Sequence, residues 1–422
     1  MTTAAPAGVW RALGADAAAS AELERYAASR FDGLVALPSF PLDDESFVGA
    51  WTDYQHDAER DGAAAVLSRV FVQLAFPVAE GMSSDAGYLA ATRRGDAAAG
   101  MVSATHWADA KGVQLRLHAT AAGVIPVVIT RARPDFELLI RVLTRHNEPA
   151  LIPASMGACI IGGYNNWDRI RRWRAGVPAR TAGFPADKRD FQDRFIVLSA
   201  GPYSGVPAAA LGLDTARWDE LSLAIRLEHE CAHYFTRRVL GAMTNSLLDE
   251  LIADFAGLVA ATGRYNAEWA RCFLGIEASG ALRAGGRLEN YRGAPPLGEA
   301  AYAVLRRAVV VATNCLERFD AARRAAGASR DALAMRAHLL LAIAGAGLAE
   351  LLVPSAPEAL MRRLHALRGS SPDGIAVADA ITASGGPSSR EQPWAQERRV
   401  QEASADHARH EGRDGQLARP HA

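Results

Sequence analysis

Two histidines and the glutamate between them carry the clearest chemical signal in this chain of 422 residues. The segment His-Glu-Cys-Ala-His runs from His229 to His233, where apolar residues recur every three or four positions as in an amphipathic helix. Residues four apart on a helix share a face, so both imidazoles can reach one ion at about 2.0–2.1 Å, the usual zinc–nitrogen distance. Glu230 lies about 100° further around the helix, where its carboxylate can hold a water molecule as general base. The segment therefore predicts a Zn²⁺ site.

An acidic segment further along the chain supplies a third ligand for this site. It reads Asp-Glu-Leu-Ile-Ala-Asp from Asp249 to Asp254, and Glu250 and Asp254 again lie one helical turn apart. Glu250 follows His233 by 17 positions, enough for the first helix to end near Gly241 and for a second to return antiparallel. We predict that the carboxylate of Glu250 binds the ion and that Asp254 accepts the outer N–H of a ligating histidine.

Together the two segments resemble the gluzincin metallopeptidases, whose pattern is HExxH on one helix and Glu-x-x-x-Asp on the next. The Glu-Leu-Ile-Ala-Asp form is most similar to the signature of the HtpX-like and CAAX prenyl endoprotease group and of small intracellular gluzincins. The resemblance covers residues 227–257 and implies that Glu230 is the catalytic base and that Asp254 supports a ligand. It also implies a set of zinc ligands, namely His229, His233 and Glu250.

Hydrolysis by such a site also needs a group that stabilises the tetrahedral oxyanion. Gluzincins take this group from a Tyr, His or Arg residue downstream of the motif. The segment Arg-Leu-Glu-Asn-Tyr-Arg-Gly at 287–293 offers three candidates. We predict that Tyr291 has the catalytic role and interpret Arg287 and Arg292 as ordinary surface or helix-end residues.

Composition excludes several other classes of protein. The net charge is −1 and no basic stripe is present, so the field that gathers a nucleic acid is missing. The four cysteines form no CxxC pair, which indicates free thiols in a reducing compartment. The N-terminus lacks the pattern of a secretory signal, and the longest apolar stretch, 339–353, is shorter than the roughly 20 residues of a membrane span. We expect a cytoplasmic protein without a membrane or nucleic-acid partner, and the oligomeric state stays open.

Periodicity predicts the elements around the site. Alternation indicates a strand at 113–119, and a turn at 121–123 joins it to a second strand at 124–130. Helices follow from Pro134 to about Arg145, from 214 to 241 and from 246 to 263. The apolar run Phe195–Leu198 is a further strand. The segment 155–170, rich in Gly and Asn, is interpreted as a tight structural turn, with a pocket-lining loop as the alternative.

These elements predict an α+β, zincin-like fold. A small mixed sheet built before residue 200 packs on the HExxH helix, and a largely helical C-terminal part contributes to the substrate cleft. The strand Phe195–Leu198 is the candidate edge on which an extended peptide pairs. The predicted domains are a disordered N-terminus at 1–20, an α/β lobe at 21–209, a helical lobe with the zinc site at 210–383 and a disordered tail at 384–422.

Three functions remain open at this point. The leading prediction is a zinc-dependent peptidase that hydrolyses amide bonds of a peptide substrate. The second is hydrolysis or rearrangement of a specialised small amide or ester, and the third is a regulatory module that binds zinc without catalysis. The histidines could also be core residues hydrogen-bonded to the acidic segment without any ion, although burying these ionisable groups together without a metal would cost several kcal/mol.

Overall fold

The computed structural model describes residues 8–28, 37–96, 106–176, 187–241, 246–277, 281–327 and 333–369. In these ranges the strands are β1 (Gln114–Thr120), β2 (Gly123–Thr130), β3 (Ala158–Asn165) and β4 (Gln192–Ser199). The helices are α1 (Val9–Ala12), α2 (Ala17–Ala27), α3 (Val48–Asp61), α4 (Ala63–Val70), α5 (Ala86–Leu89), α6 (Arg133–Thr144), α7 (Trp167–Ala175), α8 (Thr215–Phe235), α9 (Ser246–Thr262), α10 (Ala267–Leu274), α11 (Glu299–Ala325), α12 (Leu333–Ala344), α13 (Gly347–Glu350) and α14 (Ala356–Gly369).

The four strands form one mixed sheet in the order β1–β2–β4–β3. β1 and β2 are an antiparallel hairpin, β2 and β4 are parallel, and β4 and β3 are antiparallel. The predicted hairpin and the predicted helix after Pro134 are both confirmed. After Ser199 the described residues are almost entirely helical, apart from an isolated bridge between Ile276 and Leu282. The fold is therefore α+β, as predicted.

β4 lies inside the sheet, so the prediction that Phe195–Leu198 is an edge strand is wrong. Both of its neighbours hydrogen-bond to it along this run, and all four residues are fully buried. The physical reason is visible in the sequence, because an unbroken apolar run fits a strand that is covered on both faces rather than one at an edge. The edges of the sheet are β1 and β3.

The segment 155–170 is not a tight turn but a strand followed by a helix. β3 runs through it, and the register with β4 shifts between Ile161 and Tyr164, where Gly162 and Gly163 form a bulge. Gly163 has a φ of 68°, a conformation that suits glycine. Asn166 then caps α7, accepting a hydrogen bond from the backbone N–H of Arg169. The glycines and asparagines that resembled a turn are thus a bulge and a helix cap.

Side-chain alternation along the central strands divides the core into two layers. Ile196 and Leu198 of β4 point to a cluster that contains α8, α9 and α11, whereas Phe195 and Val197 point to a second cluster with α3, α4 and α6. The sheet thus packs on the HExxH helix, and the first cluster joins the sheet to the C-terminal helices. The predicted α/β and helical lobes at 21–209 and 210–383 therefore share one core.

α8 and α9 pack antiparallel and very closely. Asp214 caps α8 by accepting a hydrogen bond from the N–H of Arg217, and a single π-helical turn, Thr236–Leu240, continues it to Gly241. A Cβ atom on Gly257 of α9 would lie 2.7 Å from the carbonyl oxygen of Ile225 on α8. Because no side chain separates the helices at that point, the residues one and two turns away also come within reach of each other.

The prediction of a disordered N-terminus is wrong from residue 9 onward. α1 buries Trp10, and Asp16 caps α2 by accepting a hydrogen bond from the N–H of Ala19. The hydroxyl of Tyr26 on α2 donates to the backbone carbonyl of Tyr291 at 2.7 Å. Alanine-rich composition does not imply disorder here, because alanine favours helices and its small side chain allows close packing. The predicted tail at 384–422 lies outside the described residues.

The described residues bear on two further predictions, that no helix spans a membrane and that the cysteines are free thiols. In these ranges no helix is both long enough and apolar enough to cross a bilayer. All four cysteines are free thiols, as their spacing predicted.

The contact between Gly257 and Ile225 makes the spacing of α8 and α9 testable. Gly257→Ala should lower the free energy of unfolding by about 1–3 kcal/mol, because the added methyl group must displace a backbone carbonyl. Gly49→Ala is the matched control, since Gly49 lies in α3 with open space around it and should gain up to about 1 kcal/mol from the same change. Urea unfolding followed by circular dichroism measures both. Equal effects of the two substitutions would contradict close packing at Gly257.

Candidate metal centre

Two imidazoles and one carboxylate converge between α8 and α9. The Nε2 atoms of His229 and His233 are 3.0 Å apart, and the Glu250 oxygens lie 3.4 Å from the first and 3.6 Å from the second. One donor atom from each residue lies within 4.8 Å of the other two. Donors bound to one tetrahedral zinc at about 2.0–2.1 Å would be separated by about 3.3 Å. The three predicted ligands are thus brought together at distances that suit one ion.

A carboxylate holds the outer nitrogen of each histidine. Nδ1 of His229 lies 3.0 Å from Oδ1 of Asp254, and Nδ1 of His233 lies 2.6 Å from Oδ2 of Asp249. The other oxygen of Asp249 accepts a hydrogen bond from Thr236, in the π-helical turn that follows α8. Such pairs fix the tautomer so that Nε2 keeps a lone pair for a metal. Both rings are therefore oriented toward the point where the third ligand, Glu250, also lies.

Arg287 and Tyr203 hold Asp254 in place. Arg287 donates to Oδ2 of Asp254 at 2.6 Å and to the Tyr203 hydroxyl at 2.8 Å. That hydroxyl donates in turn to Oδ1 of Asp254 at 2.7 Å and lies 2.8 Å from Nδ1 of His229. Arg287 also approaches Glu250 at 3.4 Å. A cation far along the chain thus contacts two of the three carboxylates of α9 that face the histidines.

The segment that carries Tyr203 is fixed to α8 by buried hydrogen bonds. Arg226 donates to the backbone carbonyls of Ser199, Gly201 and Pro202, and the Ser222 hydroxyl accepts from the N–H of Tyr203. Burial lowers the pKa of Arg226 to about 10, so the guanidinium stays charged at neutral pH. The position of Tyr203 is therefore set by the same helix that carries both histidines.

The electrostatics of the cluster favour ionised carboxylates and protonated imidazoles in the chain alone. Burial raises the pKa of Glu250, but Arg287 and the histidines outweigh it and leave the pKa well below its usual value. Burial lowers the pKa of His233, but Asp249 and Glu250 outweigh it and hold the pKa well above normal. Each group is thus stabilised in its charged form by a neighbour of opposite charge.

Charge and hydrogen bonding in the cluster fit a divalent cation. With both imidazoles neutral, as in metal ligands, the carboxylates of Asp249, Glu250 and Asp254 and the guanidinium of Arg287 leave a formal charge of −2. Oε2 of Glu250 is buried and makes no hydrogen bond, since its nearest donors, Nε2 of His229 and the guanidinium of Arg287, are 3.4 Å away. A buried carboxylate oxygen without a hydrogen bond is costly, and a metal ion is one way to satisfy it. The residues present therefore fit Zn²⁺ or a similar ion held by His229, His233 and Glu250.

The two predicted catalytic residues differ in their relation to this cluster. The Tyr291 hydroxyl interacts with Glu250, whereas Glu230 follows His229 on α8 with its charge near Arg226 and Cys231. The Glu230 side chain is partly buried and makes no hydrogen bond among the described residues. Tyr291 ends the 3₁₀ turn Arg287–Tyr291, and burial together with the charge of Glu250 raises the pKa of its hydroxyl well above normal. The hydroxyl therefore stays protonated and can donate a hydrogen bond.

The sequence interpretation of Arg287 as a surface or helix-end residue is wrong. Its side chain is buried against Asp254 and Glu250, because the 3₁₀ turn that begins at Arg287 directs it toward α9. Arg292 does fit that interpretation, since it pairs with the exposed Glu299. The roles of Tyr203 and Asp249 were also missed. Asp249 could have been found from its place directly before Glu250, whereas Tyr203 lies in no recognisable motif.

Comparison with known proteins gives a family but no activity. Residues 9–355 match the model of a family of unknown function, DUF7005. The chain belongs to this family. Searches of curated proteins and of solved structures found no match. The match spans both metal-site helices, the sheet and the segment 287–291, so the elements around the metal centre lie within the family's common region.

Removing a ligand should empty the metal centre. His233→Ala and Glu250→Ala should each reduce zinc from about one ion per purified chain to a small fraction, because two remaining donors hold zinc poorly. His118→Ala and Glu220→Gln are matched controls, since His118 pairs with Glu228 and Glu220 is an exposed residue of α8 paired with Arg217. Elemental analysis after dialysis measures the content. Full zinc occupancy in both ligand variants would mean that other residues hold the ion.

Arg287 should support folding through Asp254. Arg287→Gln leaves a buried carboxylate without its cation and should lower the free energy of unfolding by about 3–5 kcal/mol. Arg292→Gln, in the same segment but paired with an exposed glutamate, should cost about 0–1 kcal/mol. Denaturant unfolding of both variants in the presence of a chelator gives the comparison. Similar small losses for the two would show that Arg287 is not needed to balance the buried charge.

Proposed function

We propose that this protein is a zinc-dependent metallohydrolase of the gluzincin type, and most simply a peptidase. The observation that carries the proposal is the convergence of His229, His233 and Glu250. Glu230, which directly follows the first of these residues on α8, is the general-base candidate. The packing of a small mixed sheet on the HExxH helix supports a zincin-like arrangement. The contact between Asp254 and His229 supports the same assignment, because Asp254 occupies the Asp position of the gluzincin Glu-x-x-x-Asp motif.

In the proposed reaction the metal ligands, Glu230 and Tyr291 would each have a different role. A zinc ion bound by the three ligands would supply Lewis acidity to a carbonyl oxygen and lower the pKa of water at the site. Glu230 would take a proton from the attacking water and return it to the leaving amine. Tyr291 would donate a hydrogen bond to the oxyanion that develops at the carbonyl. Its raised pKa keeps the proton that this role requires.

A peptide substrate would pair with an exposed strand beside α8. Because β4 is internal, the edge that replaces it as candidate is β3, which packs against α8 and hydrogen-bonds to β4 on one side. An extended peptide adds to such an edge through backbone hydrogen bonds. We therefore place the peptide along β3.

Two other functions are distinguishable from the peptidase. Hydrolysis of a specialised small amide or ester would use the same ligands and base, because a fold alone does not fix the substrate. A regulatory module that binds zinc would keep the ligands but need no general base. The unoccupied hydrogen-bonding capacity of Glu230 next to His229 favours the two catalytic readings.

Substitution of the general base separates zinc binding from catalysis. Glu230→Gln should keep its zinc and lose about 10²–10⁴-fold in the rate of peptide cleavage, because the amide cannot accept the proton. Glu220→Gln, an exposed position on the same helix, should cleave normally. A peptide library read by mass spectrometry, with and without chelator, measures cleavage. Unchanged turnover in Glu230→Gln would remove this residue from the mechanism, and a zinc-loaded wild type that cleaves no peptide would contradict the peptidase.

A further inference from the structure

A cavity lies on the face of α8 that points away from the histidines. It has a volume of about 290 Å³ and lies between α8, α9, α12 and the turn that joins β1 to β2. The α8 wall is formed by Glu228, Cys231, Ala232 and Phe235, whose spacing of three and four places them on one side of the helix. None of the three metal-site residues lines it. The cavity is therefore separate from the metal centre.

Apolar side chains from three helices form one part of the cavity wall, and polar groups form the rest. Phe235 and Phe255 face it from α8 and α9, and Leu339 and Leu340 face it from α12. Small side chains such as Ala256 leave the space between them open. A hydrocarbon chain that covers these apolar side chains removes their surface from water and so gains free energy.

One end of the cavity carries an ion pair between Arg336 and Glu228, in which the arginine has more unused hydrogen-bonding capacity than the carboxylate. Nη1 of Arg336 donates to both oxygens of Glu228 at 3.0 Å, and Nε2 of His118 lies 3.2 Å from one of them. The carboxylate thus already has three donor contacts. Nε and Nη2 of Arg336 make no hydrogen bond to any described residue, and the side chain is about one third exposed. Arg336 therefore has donors to offer, whereas Glu228 has little capacity left for a cation.

We propose that this cavity binds a small amphipathic carboxylate. The carboxylate would accept hydrogen bonds from the free donors of Arg336, and its hydrocarbon chain would lie between α8, α9 and α12. A volume of 290 Å³ is at the lower limit of small-molecule pockets, which suits a monocarboxylate with a chain of about eight carbon atoms.

Calorimetric titration of the full chain with sodium octanoate tests the proposal. Octan-1-ol and octylammonium have the same chain and differ in the head group. Octanoate should bind with the lowest dissociation constant of the three, because only its head group is an anion that can accept charge-assisted hydrogen bonds from Arg336. Absence of octanoate binding would overturn the proposal. Equal affinity for the alcohol, or tighter binding of the ammonium ion, would overturn the assignment to a carboxylate.

Substitutions then locate the binding site. Arg336→Gln should raise the dissociation constant for octanoate about tenfold or more, since a charge-assisted contact is lost. Arg363→Gln is the matched control, because Arg363 forms a similar half-buried pair with Glu350 and does not line the cavity. Ala256→Phe should abolish binding by filling the space. Wild-type affinity in either Arg336→Gln or Ala256→Phe would show that octanoate binds elsewhere.

A further variant covers the case in which Arg336→Gln fails to fold because Glu228 has lost its cation. The double substitution Glu228→Gln with Arg336→Gln removes both charges together and leaves a neutral pair of similar size. It should fold and still lose octanoate binding. Retention of wild-type affinity in this variant would overturn the role of Arg336.

Discussion

The balance of charge between α8 and α9 is the constraint on which the rest of the centre depends. Three carboxylates of α9 lie in a largely water-free environment beside two imidazoles and a single guanidinium. Leaving negative charge unbalanced there would cost more than any one packing contact contributes. The chain can meet the constraint with protons on the imidazoles or with a divalent ion. A divalent ion bound at this candidate centre would therefore couple metal binding to folding.

The centre is assembled from parts of the chain that are far apart. The absence of a side chain at Gly257 lets α8 and α9 approach, and this approach sets the distance from the histidines to Glu250. Arg226 fixes the segment that brings Tyr203, and α2 holds the backbone of Tyr291. Each of these contacts positions one group of the centre.

The sequence predicted the features that depend on residues close together in the chain, and it did not predict those that depend on distant residues. The helices α8 and α9 and the ligand spacing were predictable because periodicity of three and four acts over short distances. Tyr203 and Arg287 were not, since they meet Asp254 across 51 and 33 positions and belong to no repeating pattern. β3 was missed because paired glycines signal both a turn and a bulge. Only the partner strand decides between the two.

The position of the Cys231 thiol affects which metal ions the candidate centre would prefer. It is a close sequence neighbour of both histidines, yet it lines the cavity on the other face of α8, and burial with the charges of Glu228 and Glu230 raises its pKa well above normal. A protonated sulfur on the far side of the helix cannot join the candidate donor set. Imidazole and carboxylate donors remain, and these do not prefer the soft monovalent copper ion that thiolates capture. The helix thus holds a soft donor two residues away from both histidines and directs it away from the candidate metal centre.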